Sequence, residues 1–216
     1  MLSIRSFVNK PVSSNCYVLY DKVMGCDCII VDPGSRDERG LLSFLTQEEL
    51  RPQYIILTHE HFDHCWGVNQ IVSLYNIPIV CSAICADAIR YEKRNCSVFY
   101  DFFERFAITC ETLCVESIGE VLPFAGDKIH FFKTPGHTEA SICFVVGGFL
   151  FTGDTIIKDE KTVTKLPTGS IERLKESIVL INRLKGKGLT VCPGHGELFE
   201  LDGYDLDIMI KSRFSK

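Results

Sequence analysis

The chain has 216 residues, 46 % of them hydrophobic, and a formal net charge of −5. That is enough apolar material for one well-buried domain over residues 1–216, and with no basic block or stripe it argues against a nucleic-acid binder that relies on counterion release. No apolar run is long enough to cross a bilayer, the start MLSIRSFVNKPVSS has no secretory pattern, and the eleven scattered cysteines, without a CxxC pair, read as reduced and mostly buried thiols of a cytoplasmic protein.

In chain order, residues 2–8, 15–21 and 26–32 read as strands, from the alternation in CYVLY and the β-branched run IIV. After Asp32-Pro33-Gly34, a polar start and then Leu41, Leu42, Leu45 and Leu50 predict a helix within 35–50. A strand at 53–57 leads into HEHFDH at 59–64, followed by a helix over 67–76 and a strand at 77–82. Residues 83–107 read as an aromatic helix carrying Tyr91, Phe99, Tyr100, Phe102, Phe103 and Phe106. Strands follow at 128–136, 141–147 and 149–154, the last two joined by the hairpin signal Gly147-Gly148. A helix over 170–185, capped by Ser170, puts Ile171, Leu174, Ile178, Ile181 and Leu184 on one face. A strand at 189–196 and a short helix near 204–212 close the chain. Strands and helices in two successive halves, without repeat or linker, predict an α/β (α+β) fold of two stacked sheets with helices outside.

Five of the six histidines stand at the ends of these strands. His59, His61 and His64 lie with Asp63 in HEHFDH, while His137 (TPGHT), Asp154 (TGDT) and His195 (PGHG) each follow an apolar run and a glycine. Glycine allows sharp turns and close backbone approach, so these side chains can be aimed into one cleft. Imidazole and carboxylate donors without thiolate suit Zn, Fe or Mn. Seven candidates exceed the four ligands of one tetrahedral zinc, which favours two ions with a shared carboxylate.

These four segments, in this order, resemble the motif series of the metallo-β-lactamase fold superfamily, and NCYVLYD…IIVDPG resembles its opening strands. The resemblance covers nearly the whole chain and implies a four-layered αββα sandwich. It also implies a first metal on His59, His61 and His137, a second on Asp63, His64 and His195, and Asp154 between them, with Asp32 orienting a bound imidazole. TGDT…KLPTGSIERLKESI…PGHG is most similar to the short glyoxalase II-like hydrolases. Only about twenty residues follow His195, HTEAS replaces the usual glycine-containing sequence, and 158–167 lacks the signature expected for glutathione contacts.

The function so implied is hydrolysis of a thioester or small ester with two zinc ions, Fe or Mn being the alternatives. Coordination lowers the pKa of water to roughly 7, and Asp63 is the catalytic residue expected to hold that nucleophile and pass its proton on. The alternatives are an oxidative reading, a mononuclear iron persulfide dioxygenase, and a metal-retaining binding protein without strong catalysis. The expected partner is a small-molecule substrate, with neither nucleic acid nor membrane and with a possible homodimer. His130 reads as a structural histidine, Glu60 as a solvated spacer and Cys65 as a buried thiol. Cys26 and Cys28 are expected to share one strand face. The 99–106 aromatics read as core, with a cleft wall or dimer patch as the alternative. Lys161, Lys165 and Arg173 are candidate contacts for an anionic substrate tail.

Overall fold

The computed structural model describes residues 2–36, 39–100, 104–117 and 119–209. The first sheet runs in chain order through β1 (Ser3–Val8), β2 (Asn15–Tyr20), β3 (Asp27–Val31), β4 (Arg51–Ile56), β5 (Ile79–Cys81) and β6 (Thr112–Cys114). Its β1–β2–β3 part is antiparallel, and β3–β4–β5–β6 is parallel. The second sheet has the spatial order β12 (Phe199–Glu200), β11 (Thr190–Pro193), β10 (Phe149–Gly153), β9 (Ile142–Val146), β8 (Asp127–Lys133) and β7 (Val121–Phe124). Among the described residues, five helices connect or cover them: α1 (Arg39–Gln47), α2 (Phe62–Cys65), α3 (Val68–Tyr75), α4 (Ala83–Ala88) and α5 (Ile171–Asn182).

The period of two in each strand sorts the side chains into layers. Tyr17, Leu19, Ile29 and Val31 point between the sheets, where they meet Phe131, Phe144 and Phe151. Their neighbours Cys16, Val18, Cys28 and Ile30 point the other way, onto Leu41, Leu45, Val68 and Ile71 of α1 and α3. On the second sheet Cys143, Leu150 and Val191 face outward onto Leu174, Ile178 and Ile181 of α5. The result is the four-layered αββα sandwich. At its centre the Phe144 and Phe151 rings stack 4.5 Å apart and Tyr17 meets Phe151 edge-on, each buried side chain of this size contributing roughly 1.5–3 kcal/mol.

Strand direction decides where the polar residues gather. β3 and β4 are parallel, so Asp32 and the HEHFDH segment leave the first sheet at one rim. β10 and β11 are parallel, and β8 runs with them because both β8 and β10 are antiparallel to β9. His137, Asp154 and His195 therefore leave the second sheet at one rim too. The two rims meet at β2, whose Asn15 N donates to Gly194 O at 2.6 Å.

Several elements differ from expectation. Among the described residues of 83–107, α-helix is confined to α4, followed by turns and a 3-10 turn over Ser97–Phe99. Beyond those turns the Asn95 side chain fixes the following loop, donating to Phe106 O at 2.7 Å and accepting from Ser97 N at 2.9 Å, while Cys96 takes φ 66°. Of the aromatics there, Phe106 is core, Tyr100 leans on Phe62, Tyr91 and Phe99 are exposed, and Phe102 and Phe103 lie outside the described residues. β6, β7 and β12 were not anticipated: two are only two or three residues long, and β7 is an edge strand that tolerates Pro123. In place of the helix expected near 204–212 there is a 3-10 turn over Leu206–Met209; residues 204 and 205 are not helical, and 210–212 lie outside the described residues. Cys26 and Cys28 share no face: Cys26 precedes β3 and is exposed, whereas Cys28 is buried. His130 is exposed on β8 and is not among the clustered donors. All eleven cysteines are free thiols. No helix among the described residues is long and apolar enough to cross a membrane.

Candidate metal centre

The seven predicted donors come together at the joined rims. Their donor atoms form three overlapping groups: His59, His61 and His137; His59, His64 and Asp154; and Asp63, His64 and His195. Asp154 reaches both ends of the cluster, with Oδ2 3.5 Å from His137 Nε2 and 3.4 Å from His195 Nε2, and Oδ1 3.4 Å from His64 Nε2. Asp63 Oδ2 stands 3.3 Å from His195 Nε2 and 3.7 Å from His64 Nε2. His59 and His61 come from the extended link after β4, whereas Asp63 and His64 sit on the single helical turn α2, which rotates them toward the other side of the cleft.

Glycine makes the close approach possible. Gly153 adopts φ +47° with Thr58 packed where a Cβ would go, and a Cβ on Gly194 would lie 2.1 Å from Asp154 Oδ1. Either position filled by another residue would push β10 and β11 away from the HEHFDH segment.

Outer contacts hold the imidazoles by the nitrogen that does not face the cluster. His59 Nδ1 is 3.1 Å from Thr58 Oγ1, His64 Nδ1 is 3.1 Å from Asp32 Oδ2, His137 Nδ1 donates to Val163 O at 2.8 Å, and His195 Nδ1 donates to Ser13 O at 3.1 Å. Asp32 also accepts from Thr58 N and Thr58 Oγ1, at 2.8 and 2.7 Å. His61 is turned around, with its Nδ1 3.0 Å from His137 Nε2.

Electrostatically the cluster divides in two. Burial, reinforced by neighbouring imidazoles, holds His59 well below its ordinary pKa and His61 at about 3. Burial also opposes charge on His64 and His195, yet the carboxylates outweigh it: Asp154 and Asp63 hold His64 well above the ordinary value and raise His195 to about 9. For Asp63 and Asp154 burial pushes upward, but the adjacent His64 and His195 win and both carboxyls are held low.

The donor set fits divalent cations. Atoms bound at about 2.0–2.1 Å to a tetrahedral ion lie roughly 3.4 Å apart, which matches the 3.3–3.5 Å separations around Asp154 and His195. His59 Nε2, His64 Nε2 and Asp154 Oδ1 are buried and make no hydrogen bond among the described residues. Groups so placed are costly unless a cation takes their lone pairs. Cys65 is no donor here: its thiol bonds Glu60 O and His61 O at 3.3 Å, and burial raises its pKa strongly.

A cavity of about 350 Å³ opens over the cluster, lined by His137, Asp154 and His195 with Ile157, Glu160, Lys161 and Val163. Of the three candidate cations, Lys161 lines the cleft, with Glu160 beside it. Lys165 is not among the lining residues, and Arg173 pairs with Glu139 at 3.0 Å. Glu60 is the clear correction. It is buried, not solvated; its Oε2 accepts from Thr138 Oγ1 at 2.8 Å, and burial raises its pKa. As the spacer between two inward histidines its side chain turns away from the cluster and ties the HEHFDH segment to the residue after His137.

Comparison with known proteins agrees with this geometry. A family model described as the metallo-beta-lactamase superfamily matches residues 9–195, which include all seven clustered donors. An uncharacterised protein of Mycobacterium leprae is 30 % identical over 89 % of this chain and 91 % of its own. A probable metallo-hydrolase of Methanocaldococcus jannaschii is 31 % identical over 86 % and 89 %. A hydroxyacylglutathione hydrolase of Klebsiella pneumoniae is 30 % identical over 76 % of this chain, which spans only 56 % of that enzyme. Among solved structures, the BLEG-1 B3 metallo-beta-lactamase superposes with a TM-score of 0.82 at 27 % identity, over 92 % of this chain and 94 % of that one. A 24 % identical chain solved in a di-iron-bound form gives a TM-score of 0.77, over 91 % and 94 %. The αββα layering, the cluster at the joined rims and the family match together make this chain a member of the metallo-beta-lactamase superfamily.

Proposed function

We propose that the chain is a metal-dependent hydrolase of thioesters or small esters that works with two divalent ions, zinc being the expected metal. His59, His61 and His137 would hold one ion, Asp63, His64 and His195 the other, and Asp154 would bind both. The observation that carries this reading is the reach of Asp154, whose oxygens lie 3.4–3.5 Å from donors of both groups. When bound, such a pair supplies Lewis-acid chemistry, polarising a carbonyl and lowering the pKa of water to about 7.

The protein's own groups supply the rest. Asp63, whose pKa is held low, is a carboxylate at neutral pH and stands 3.3 Å from His195 Nε2 at the edge of the cluster, so it can accept the proton of the attacking water. Lys161 offers a positive charge to an anionic end of the substrate, and Val163 and Ile157 an apolar wall. Beyond the donor set, the acid lining the cleft is Glu160, which is exposed. A thiolate leaving group needs little protonation, so this arrangement favours thioesters over amides. The hydroxyacylglutathione hydrolase relative supports the same substrate class. In this reading the partner is a small molecule, and residues 1–216 act as one cytoplasmic domain.

The test is turnover of a thioester and lactone panel by zinc-loaded protein, with Asp63→Ala as the reference. Turnover that falls at least 100-fold in the variant supports the reading. No turnover on any member, or one iron per chain with oxygen consumption on a persulfide, overturns it.

A further inference from the structure

One stretch of chain, residues 9–15, braces the Asp63, His64 and His195 group: it bonds the His195 ring and the Asp63 backbone carbonyl directly, and reaches His64 through Asp32. Asn15 Nδ2 donates to Pro193 O at 3.0 Å and Gly196 O at 2.9 Å, and Asn15 N donates to Gly194 O, so one residue grips the loop on both sides of His195. Ser13 O takes the Nδ1 proton of His195, which leaves Nε2 unprotonated toward the cluster once a cation is bound, and Ser14 pairs with His195 in an isolated antiparallel bridge. Ser14 Oγ donates to the backbone carbonyl of Asp63. Asn9 Nδ2 completes the set, donating to Ser14 Oγ at 2.8 Å and to the carbonyl of Asp32, the residue that bonds His64, at 3.2 Å.

The other group is held elsewhere. His137 is fixed by Val163 O, His61 lies against His137, and His59 is fixed by Thr58, which touches the 9–15 stretch only at one remove through Asp32. His195 is also the most exposed of these imidazoles, its side chain 22 % accessible against 0 % for His64 and 4 % for His137. A half-open ligand on a loop depends most on what grips the loop.

We infer that residues 9–15 are a clamp that sets occupancy of the second cation position, with Ser14 and Asn15 as positioning residues that touch neither ion nor substrate. This rests on the two-ion reading above. Loosening the clamp frees the His195 loop and the turn carrying Asp63 and His64 while the His59, His61 and His137 group keeps its own supports. The chain then passes from two ions to one without unfolding.

The experiment strips the full-length protein of metal and titrates it with zinc alone against a competing chromophoric chelator, with elemental analysis for stoichiometry. Wild type is expected to bind two zinc ions. Ser14→Ala and Asn15→Ala are expected to bind the first with unchanged affinity and the second about 10- to 100-fold more weakly, the usual cost of losing an outer partner of a ligand, and His195→Ala, which removes a ligand, should weaken the second further still. A general loss of structure would weaken both positions together, so equal loss at both overturns the clamp. So does wild-type affinity at both. If Asn15→Ala does not fold, the near-isosteric Asn15→Asp and Ser14→Ala carry the same test. Wild type that binds fewer than two zinc ions overturns the two-ion reading and the clamp with it, whereas wild type with two ions and unaffected variants overturns the clamp alone.

Discussion

His64 Nδ1 lies 3.1 Å from Asp32 Oδ2, and both side chains are buried. The same carboxylate takes two further bonds from Thr58, so removing it strands three donors. Asp32 also adopts φ 49°, a region asparagine tolerates and alanine does not. Asp32→Asn keeps the backbone conformation and one acceptor oxygen but turns an amide NH2 toward the remaining donors, whereas Asp32→Ala strands all three donors and adds backbone strain. Asp32→Ala is expected to lose about 1–3 kcal/mol for each stranded donor in chemical denaturation and about 10- to 100-fold in zinc affinity. Asp32→Asn should fall between it and wild type.

The pH dependence of the metal-free protein follows from the two halves of the cluster. His61, held at about 3, stays neutral in the fold while an unfolded histidine gains a proton below about 6.5, so stability is lost as pH falls from there. His195, raised to about 9, contributes stability that is fully present below about 6.5 and lost as pH rises through 9. The melting temperature of metal-free protein should therefore peak near neutral or slightly acidic pH and decline on both sides. Zinc must displace the His64 and His195 protons, so loading at pH 7 should release protons into weak buffer and abolish the alkaline decline. A melting temperature that keeps rising to pH 9 without metal would contradict the assignment.

Glu60 gives a stability prediction independent of metal. Burial raises its pKa, so the charged form is disfavoured in the fold above the usual carboxylate range. Glu60→Gln keeps an acceptor for Thr138 Oγ1 and removes that charge. In urea melts of metal-free protein at pH 8 the variant should be more stable than wild type, by on the order of 1 kcal/mol. The gain should shrink toward pH 5, and the histidine contributions cancel because both proteins share them. Zinc stoichiometry should stay at two, since the carboxylate faces Thr138 and not the donors.

The parts of this molecule that local chemistry dictates were visible in the amino-acid order. Alternation in CYVLY and the β-branched run IIV announced the strands at 15–21 and 26–32, and a polar donor after an apolar run and a glycine marked His137, Asp154 and His195 as rim residues. What escaped depends on contacts across long stretches of chain. Glu60 is buried because Thr138, 78 residues away, receives it. The helix beginning at Ala83 gives way to turns after Ala88, where Ile89 O accepts from Ile108 N, 19 residues on, a contact helical periodicity cannot foresee. Ser14 and Asn15 look like no more than the residues that open a strand until the 193–196 loop is seen beside them. Very short strands such as β12 exist only because β11 offers an edge.

Gly194 tests whether the two halves of the cluster share a single keystone. Its N donates to Gly153 O at 2.8 Å, so β10 and β11 abut just where Asp154 and His195 leave them. A Cβ there would sit 2.1 Å from Asp154 Oδ1, 2.8 Å from His64 Cε1 and 2.9 Å from the Gly153 carbonyl carbon. Backbone closes one side, so the Asp154 carboxylate has to swing away. Because Asp154 faces both groups, Gly194→Ala should weaken both zinc positions, unlike Ser14→Ala, which should weaken one. Displacement of a reacting group by about 1 Å costs on the order of 100-fold, so thioester turnover should fall by at least that. Gly203→Ala, where nothing lies within 4 Å of the added atom, is the control and should leave both zinc ions and turnover unchanged. If Gly194→Ala kept two zinc ions at wild-type affinity, Asp154 could not be the residue the two positions share.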